Sequence, residues 1–246
     1  MSATAMDNVR SATPGQVRRS PSVPAHWPIR RHAAAAETTP AGPLHSVEVT
    51  VPAKTNLTLH VGPAHEEWGG RHALDTIYCA ISVNDMVTAT AKTPGSGFSL
   101  ELSGEHLGDL ASSGSDMRRN HAVLALFAIA RAAGREPDVA LHVDKHIPVG
   151  AGLGGGSADA AATLLAVNTL WGLHWPIERL RDIAATLGAD MPFCLEGGYA
   201  HGTGFGERII PLEDDSSCVQ TLRDRGFAGQ LLVGAYHAQL STPVSY

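Results

Sequence analysis

Apolar and polar positions alternate at the start of the folded part of this chain. Val47, Val49 and Val51 interleave with Ser46, Glu48 and Thr50, the period of two expected of a half-buried strand. Leu57, Leu59 and Val61 repeat the pattern, with residues 52–57 between the runs reading as a turn. Residues 80–91 read as another strand, and residues 93–117, with five glycines from Gly95 to Gly114, as a loop-rich region. The spacing then becomes helical: Val123, Leu124, Phe127 and Ala130 follow a capping Asn120 and precede Gly134. Val139, Leu141 and Val143 alternate again. Ile177, Leu180, Ile183, Ala184 and Leu187 form an amphipathic helix stopped at Gly188, and residues 230–235 give a late strand-like run.

The chain is organised around residues 147–173, IPVGAGLGGGSADAAATLLAVNTLWGL. Five glycines (Gly150, Gly152, Gly154, Gly155, Gly156) lead to Ser157, a good N-cap, and then to residues 158–170 of high helix propensity, closed by Gly172 as C′. A glycine loop feeding a helix aims free N–H groups and the positive end of the dipole at one point, where phosphate is the natural occupant. A flexible linker is the bland alternative, but linkers rarely run straight into a capped helix. The Gly-Lys-Ser/Thr ending of a Walker loop is absent. So is an acidic residue at Rossmann spacing after a strand.

Composition narrows the partners. The 246 residues suffice for one large or two small domains, and 43% hydrophobic residues permit a sizeable core. A net charge of −6 argues against nucleic-acid binding, and no apolar run approaches the ~20 residues of a membrane span. Cys79, Cys194 and Cys218 lack metal spacing and read as reduced cytosolic thiols, so the expected compartment is the cytoplasm. His142 and His146 lie on a strand and its exit and read as surface residues. Residues 1–45, rich in Ala, Pro, Ser and Arg, read as a disordered extension, with an organellar transit peptide as the less favoured alternative. No feature assigns an oligomeric state.

The glycine stretch resembles the phosphate loop of the GHMP kinases, in which a proline and a few residues precede Gly-Leu-Gly/Ser-Ser-Ser/Ala-Ala. With Asn168, Leu170 and Trp171 behind it, GLGGGSADAA looks most like the branch that phosphorylates a cytidine diphosphate-methylerythritol in non-mevalonate isoprenoid synthesis. Pro52-Ala53-Lys54-Thr55-Asn56-Leu57 resembles the family's Pro-Ala-Lys-x-Asn-Leu, and Gly188-Ala189-Asp190-Met191-Pro192-Phe193 its catalytic aspartate motif. On the residues alone, Lys54 is a solvated turn charge and Asp190 a turn former. The resemblance implies instead that both are catalytic, Asp190 accepting or orienting a hydroxyl proton and Lys54 polarising that hydroxyl. Gly202-Thr203-Gly204-Phe205-Gly206-Glu207 resembles the family's Gly-x-Gly-Glu segment.

The resemblance further implies that Pro148, Val149, Gly150, Ala151, Gly152, Leu153, Gly154, Gly155, Gly156, Ser157 and Ala158 hold ATP, used with Mg2+, and it assigns no metal ligand. The small-molecule substrate would meet Asn56, Arg71, His72, Tyr78 and Asn120. In relatives a tyrosine and a phenylalanine clasp the cytosine. Here Arg71 replaces the tyrosine and Gly69 the aspartate ahead of it, so an Arg71/Tyr78 sandwich is the expected equivalent. Taken alone, His72 reads as a surface turn histidine. Kinases of other alcohols, and catalytically silent relatives, stay open as alternatives.

The implied fold is α+β, the GHMP-kinase fold. Residues 46–212 would form an N-terminal ATP-binding domain like domain 2 of ribosomal protein S5, and residues 213–246 the start of an incomplete C-terminal α/β domain. A second glycine-rich Gly-Ser-Gly-Pro-type motif is absent, and Ser241-Thr242-Pro243-Val244-Ser245-Tyr246 resembles a segment near the start of that domain. The expectation is a truncated, unstable chain of little activity.

Overall fold

The computed structural model describes residues 29–32, 44–105, 107, 117–213, 215–226 and 231–233. Its centre is a long antiparallel hairpin, β2 (Ser46–His65) and β3 (Arg71–Ala91), joined by a 3-10 turn at Glu66–Trp68. Around it stand β1 (Ile29–His32), β4 (Ser99–Gly104), β5 (Val139–Lys145), β6 (Tyr199–Thr203) and β7 (Arg208–Leu212). The strand order is β1-β2-β3-β5-β4, and all of these pairs are antiparallel except the parallel β4–β5. The first half of β3 pairs instead with β6, which carries β7 at its outer edge.

The alternation behaves as a pleat requires. Val47, Val49, Val51, Val87, Ala89, Val139, Leu141 and Val143 are buried on one face, against the helices. Three expectations change. Residues 52–57 are not a turn: β2 runs on through them, and shifts in register at Pro52/Ala53 and Asn56/Thr58 absorb the proline and re-aim the strand. The loop-rich region contains β4, and the stretch read as an extension supplies β1 along the free edge of β2. The remainder of residues 1–45, Gly108, Gly114 and residues 241–246 lie outside the described residues; of the run 230–235 only residues 231–233 are described, without strand.

The helices are α1 (His121–Ala133), α2 (Gly155–Leu170), α3 (Ile177–Leu187), α4 (Met191–Glu196) and α5 (Ser217–Asp224). Asn120 caps α1 by accepting the Ala122 N–H at 2.9 Å, and Gly134 closes it in the left-handed region. Helix α2 is buried at every position from Ala158 to Leu170, because it lies between the sheet and α1, α3 and α4. Its five alanines at 158, 160, 161, 162 and 166 allow that close approach on all sides. It ends as a Schellman turn: Gly172 donates to Thr169 and Leu173 to Asn168. The start differs from expectation. Gly154 is the N-cap, and Ser157 lies inside the first turn.

Candidate active site

The loop between β5 and α2 forms the wall between two cavities. The smaller, about 260 Å³, is lined by the loop from Pro148 to Gly156 together with Asn120, His121, Lys145 and Asp159. The larger, about 870 Å³, takes loop glycines and Ser157 on one side and Lys54, Asp190, Arg71, His72 and Phe205 on the other. The first N–H groups of α2 have no acceptor within the helix, so they are free to face an anion. Pro148, Val149, Ala151 and Leu153 line only the smaller cavity. Ala158 lines neither: it is fully buried, and its N–H donates to Gly154 O at 2.8 Å, so the expected ligand contact is corrected to a core position.

Lys54 reaches the larger cavity because β2 continues through it. Its backbone N–H donates to Leu153 O at 2.9 Å, tying the strand to the glycine loop. The side chain is buried rather than solvated, with Nζ 3.2 Å from Asp190 Oδ2 and donating to Asn56 Oδ1 at 3.0 Å. Asn56 is held in turn by donating to Thr76 Oγ1 at 2.7 Å, and Thr76 donates to Thr58 O at 2.6 Å. Gly154 is required where it stands. Its φ is +72°, and a Cβ there would lie 2.8 Å from Lys54 Cγ.

Asp190 caps α4 in position but not by hydrogen bond, so its carboxylate is left for Lys54 and for the Tyr78 hydroxyl, which donates to Oδ1 at 3.0 Å. This corrects the expected Arg71/Tyr78 sandwich. Tyr78 borders the larger cavity but is only 1% exposed, and its ring is stacked on Phe193 of α4 at 4.8 Å. Arg71 lies instead over Phe205, its guanidinium carbon 4.4 Å from the ring centroid, with Trp68 edge-on to the same ring at 6.0 Å. His72 meets Gly62 O through Nδ1 at 2.8 Å beside that group. Asn120 lines the smaller cavity, away from the Arg71 shelf, and spends its carbonyl oxygen on capping α1.

Sequence reasoning missed several residues of the two cavities. His121 faces both; a Cβ on Gly156 would overlap its Nδ1, and burial, then the Lys145 charge, hold its pKa below the ordinary value. Phe205 was passed over within the Gly-x-Gly-Glu segment. Lys145, Asp85 and Asp159 form a buried group under the loop. The one signal for them was a charged Lys145 amid apolar alternation just before the loop.

Among the described residues no three His, Cys, Asp or Glu side chains are placed to hold a metal ion. The one orphaned carboxylate oxygen, Asp159 Oδ1, is shielded from solvent, and a lysine ammonium already stands against the same carboxyl. That donor set does not fit a hydrated magnesium ion. The cysteines form no disulfide, and among the described residues no helix is long and apolar enough to cross a membrane.

Comparison with known proteins adds to this geometry. The family model for the GHMP kinases N terminal domain matches residues 120–198. The chain is 73% identical over 203 residues to 4-diphosphocytidyl-2-C-methyl-D-erythritol kinase of Bifidobacterium adolescentis, covering 82% of this chain and 66% of that one. It is 41% identical over 207 residues to the enzyme of the same name from Salinispora tropica, covering 84% and 60%. It thus spans between 60% and 66% of the length of these two relatives. A crystal structure of 4-(cytidine 5'-diphospho)-2C-methyl-D-erythritol kinase superposes with a TM-score of 0.53 at 38% identity, over 67% of this chain and 55% of that one. Homoserine kinase from Cytophaga hutchinsonii shares the fold, with a TM-score of 0.54 at 19% identity over 72% of this chain and 54% of that one.

Proposed function

The chain belongs to the GHMP kinases, and on that premise we propose that it is a cytoplasmic kinase transferring the γ-phosphoryl of ATP to the 2-hydroxyl of 4-diphosphocytidyl-2-C-methyl-D-erythritol. The carrying observation is that one cavity of about 870 Å³ is lined both by the glycine loop and by the Lys54–Asp190 pair, so donor and acceptor groups share a cleft. The proposed division is an ATP-binding domain over residues 46–212, with residues 213–246 as the first part of a second domain.

Phosphoryl transfer asks a protein for position and charge, with little covalent help. In this reading the first-turn N–H groups of α2 and the loop amides hold the triphosphate. Asp190 accepts the proton of the attacking hydroxyl as the new O–P bond forms and the bond to the ADP oxygen breaks. Lys54 orients that carboxylate through the ion pair, and the Tyr78 hydroxyl on Oδ1 leaves Oδ2 beside the ammonium. Arg71, lying over the Phe205 ring, offers its guanidinium to a planar base beside His72. Magnesium would come bound to the nucleotide and would serve to neutralise phosphate charge; no ligand set among the described residues is assigned to it.

An assay coupling ADP release to each of four alcohols tests this: the cytidine substrate, galactose, homoserine and mevalonate. Turnover with the cytidine substrate alone, lost in Asp190→Asn, is expected. Preference for another alcohol overturns the substrate, and undiminished turnover in the variant overturns the role of Asp190.

A further inference from the structure

Under the glycine loop lies a charge cluster that the proposed mechanism leaves unused. Lys145, the last residue of β5, pairs with Asp85 of β3 and donates to Asp159 Oδ2 in the first turns of α2 at 2.7 Å. Asp85 Oδ1 accepts the backbone N–H groups of His146 and Ile147, at 2.6 and 2.8 Å, where the loop begins. All three side chains are buried, at 0%, 2% and 4% exposure for Asp85, Lys145 and Asp159. The cluster therefore pins both ends of the loop to the sheet. It also sets two carboxyl groups against one ammonium at the floor of a cavity whose remaining lining is the glycine loop with Arg119, Asn120 and His121.

Resting on the reading of this loop as a nucleotide site, we propose that Asp159 carries a proton while the triphosphate is bound, so that nucleotide binding takes up a proton at this one carboxyl. Two ionised carboxylates would leave a buried excess of negative charge beneath a polyanion, and one must give way. Asp85 has both oxygens engaged, since a lysine and two backbone N–H groups donate to it. Asp159 receives the lysine alone, and its Oδ1 meets no donor among the described residues. A sealed oxygen of this kind has room for a proton and none for a hydrated cation.

The surroundings agree. Burial pushes the Asp159 carboxyl up to about 8; the Asp85 charge adds to that, and the Lys145 ammonium opposes it. Around it, α1 presents His121, held below its ordinary value by burial and then by Lys145. From β2 and the start of α4 come Lys54 and Asp190, already paired, and within α4 the Cys194 thiol, which burial pushes up and keeps neutral. Arg181 of α3 is engaged by Glu196 at 3.2 Å. Asp159 is thus the group poised to change charge when phosphate arrives.

Titration calorimetry with ATP, in two buffers of different ionisation enthalpy at about pH 8.5, tests the inference. That pH lies above the Asp159 value, and ATP itself is fully ionised there. The wild-type heats are expected to differ between buffers by an uptake of roughly three-quarters of a proton per nucleotide, and affinity to weaken up to about tenfold per pH unit above pH 8. Asp159→Asn is expected to bind ATP with no uptake and with an affinity flat across that range. Buffer-independent heats in the wild type overturn the proposal without any variant. Undiminished uptake in Asp159→Asn overturns it too, by placing the proton on another group such as His121. ATP binding without uptake sinks this inference alone, whereas absence of any ATP binding sinks the nucleotide reading beneath it.

Discussion

On the open side of the glycine loop, Lys54 meets Asp190 at 3.2 Å, with the aspartate side chain 33% exposed. On the sealed side, Lys145 meets Asp85 and Asp159, and none of their side chains is more than 4% exposed. The two groups use the same residue types to opposite ends. The open one is balanced, one cation to one anion, and its aspartate borders a cavity where a hydroxyl can reach it. The sealed one carries an extra carboxyl and lies at the floor of the smaller cavity. Solvent access and the ratio of charges set the role of each pair, and residue identity does not.

Breaking the open pair should cost the most, in rate rather than fold. Asp190→Asn is expected to lower turnover about 10³-fold, in the range of a lost general base, while ATP affinity by calorimetry changes less than about threefold. Turnover above a tenth of wild type would remove Asp190 from the chemistry. Breaking the sealed group should do the reverse. Lys145→Met leaves the buried Asp85 and Asp159 carboxyl groups without a cation, about 3–5 kcal/mol of stability, and a melting temperature about 10 °C lower. A melt within about 2 °C of wild type would show that the cluster does not hold the loop.

Gly154 lies where the loop approaches the open pair, and substitution there sharpens the contrast. Gly154→Ala forces a left-handed residue, about 1–2 kcal/mol, and drives its Cβ to 2.8 Å from Lys54 Cγ. A loss of about tenfold in kcat/KM, together with a lower melting temperature, is expected; an unchanged kcat/KM would separate the loop from the lysine. The smallest effect is that of Tyr78→Phe. It keeps the stacking on Phe193 but removes the hydrogen bond to Asp190, for about 1 kcal/mol in the melt and a few-fold loss of turnover. A loss as large as that of Asp190→Asn would make the hydroxyl a reacting group and not a brace.

What the sequence determined by itself was local. Asn120 and Gly134 bracket α1, the alternation at Val139, Leu141 and Val143 forms β5, Gly172 closes α2, and α3 runs from Ile177 to Leu187. Caps and periodicity act within a few residues, so the residues themselves carry the signal. Tertiary structure decided the rest. Residues 52–57 look like a turn until β3 supplies a partner across them, and only that continuous strand buries Lys54. Tyr78 reads as half of a base sandwich until Phe193 stacks on its ring and Asp190, 112 residues away, takes its hydroxyl. Lys145 and Asp85 stand 60 residues apart, and no spacing in the chain joins them. Such pairings depend on which strands become neighbours, and that is settled by burying the whole apolar face at once, a free energy no short segment holds alone.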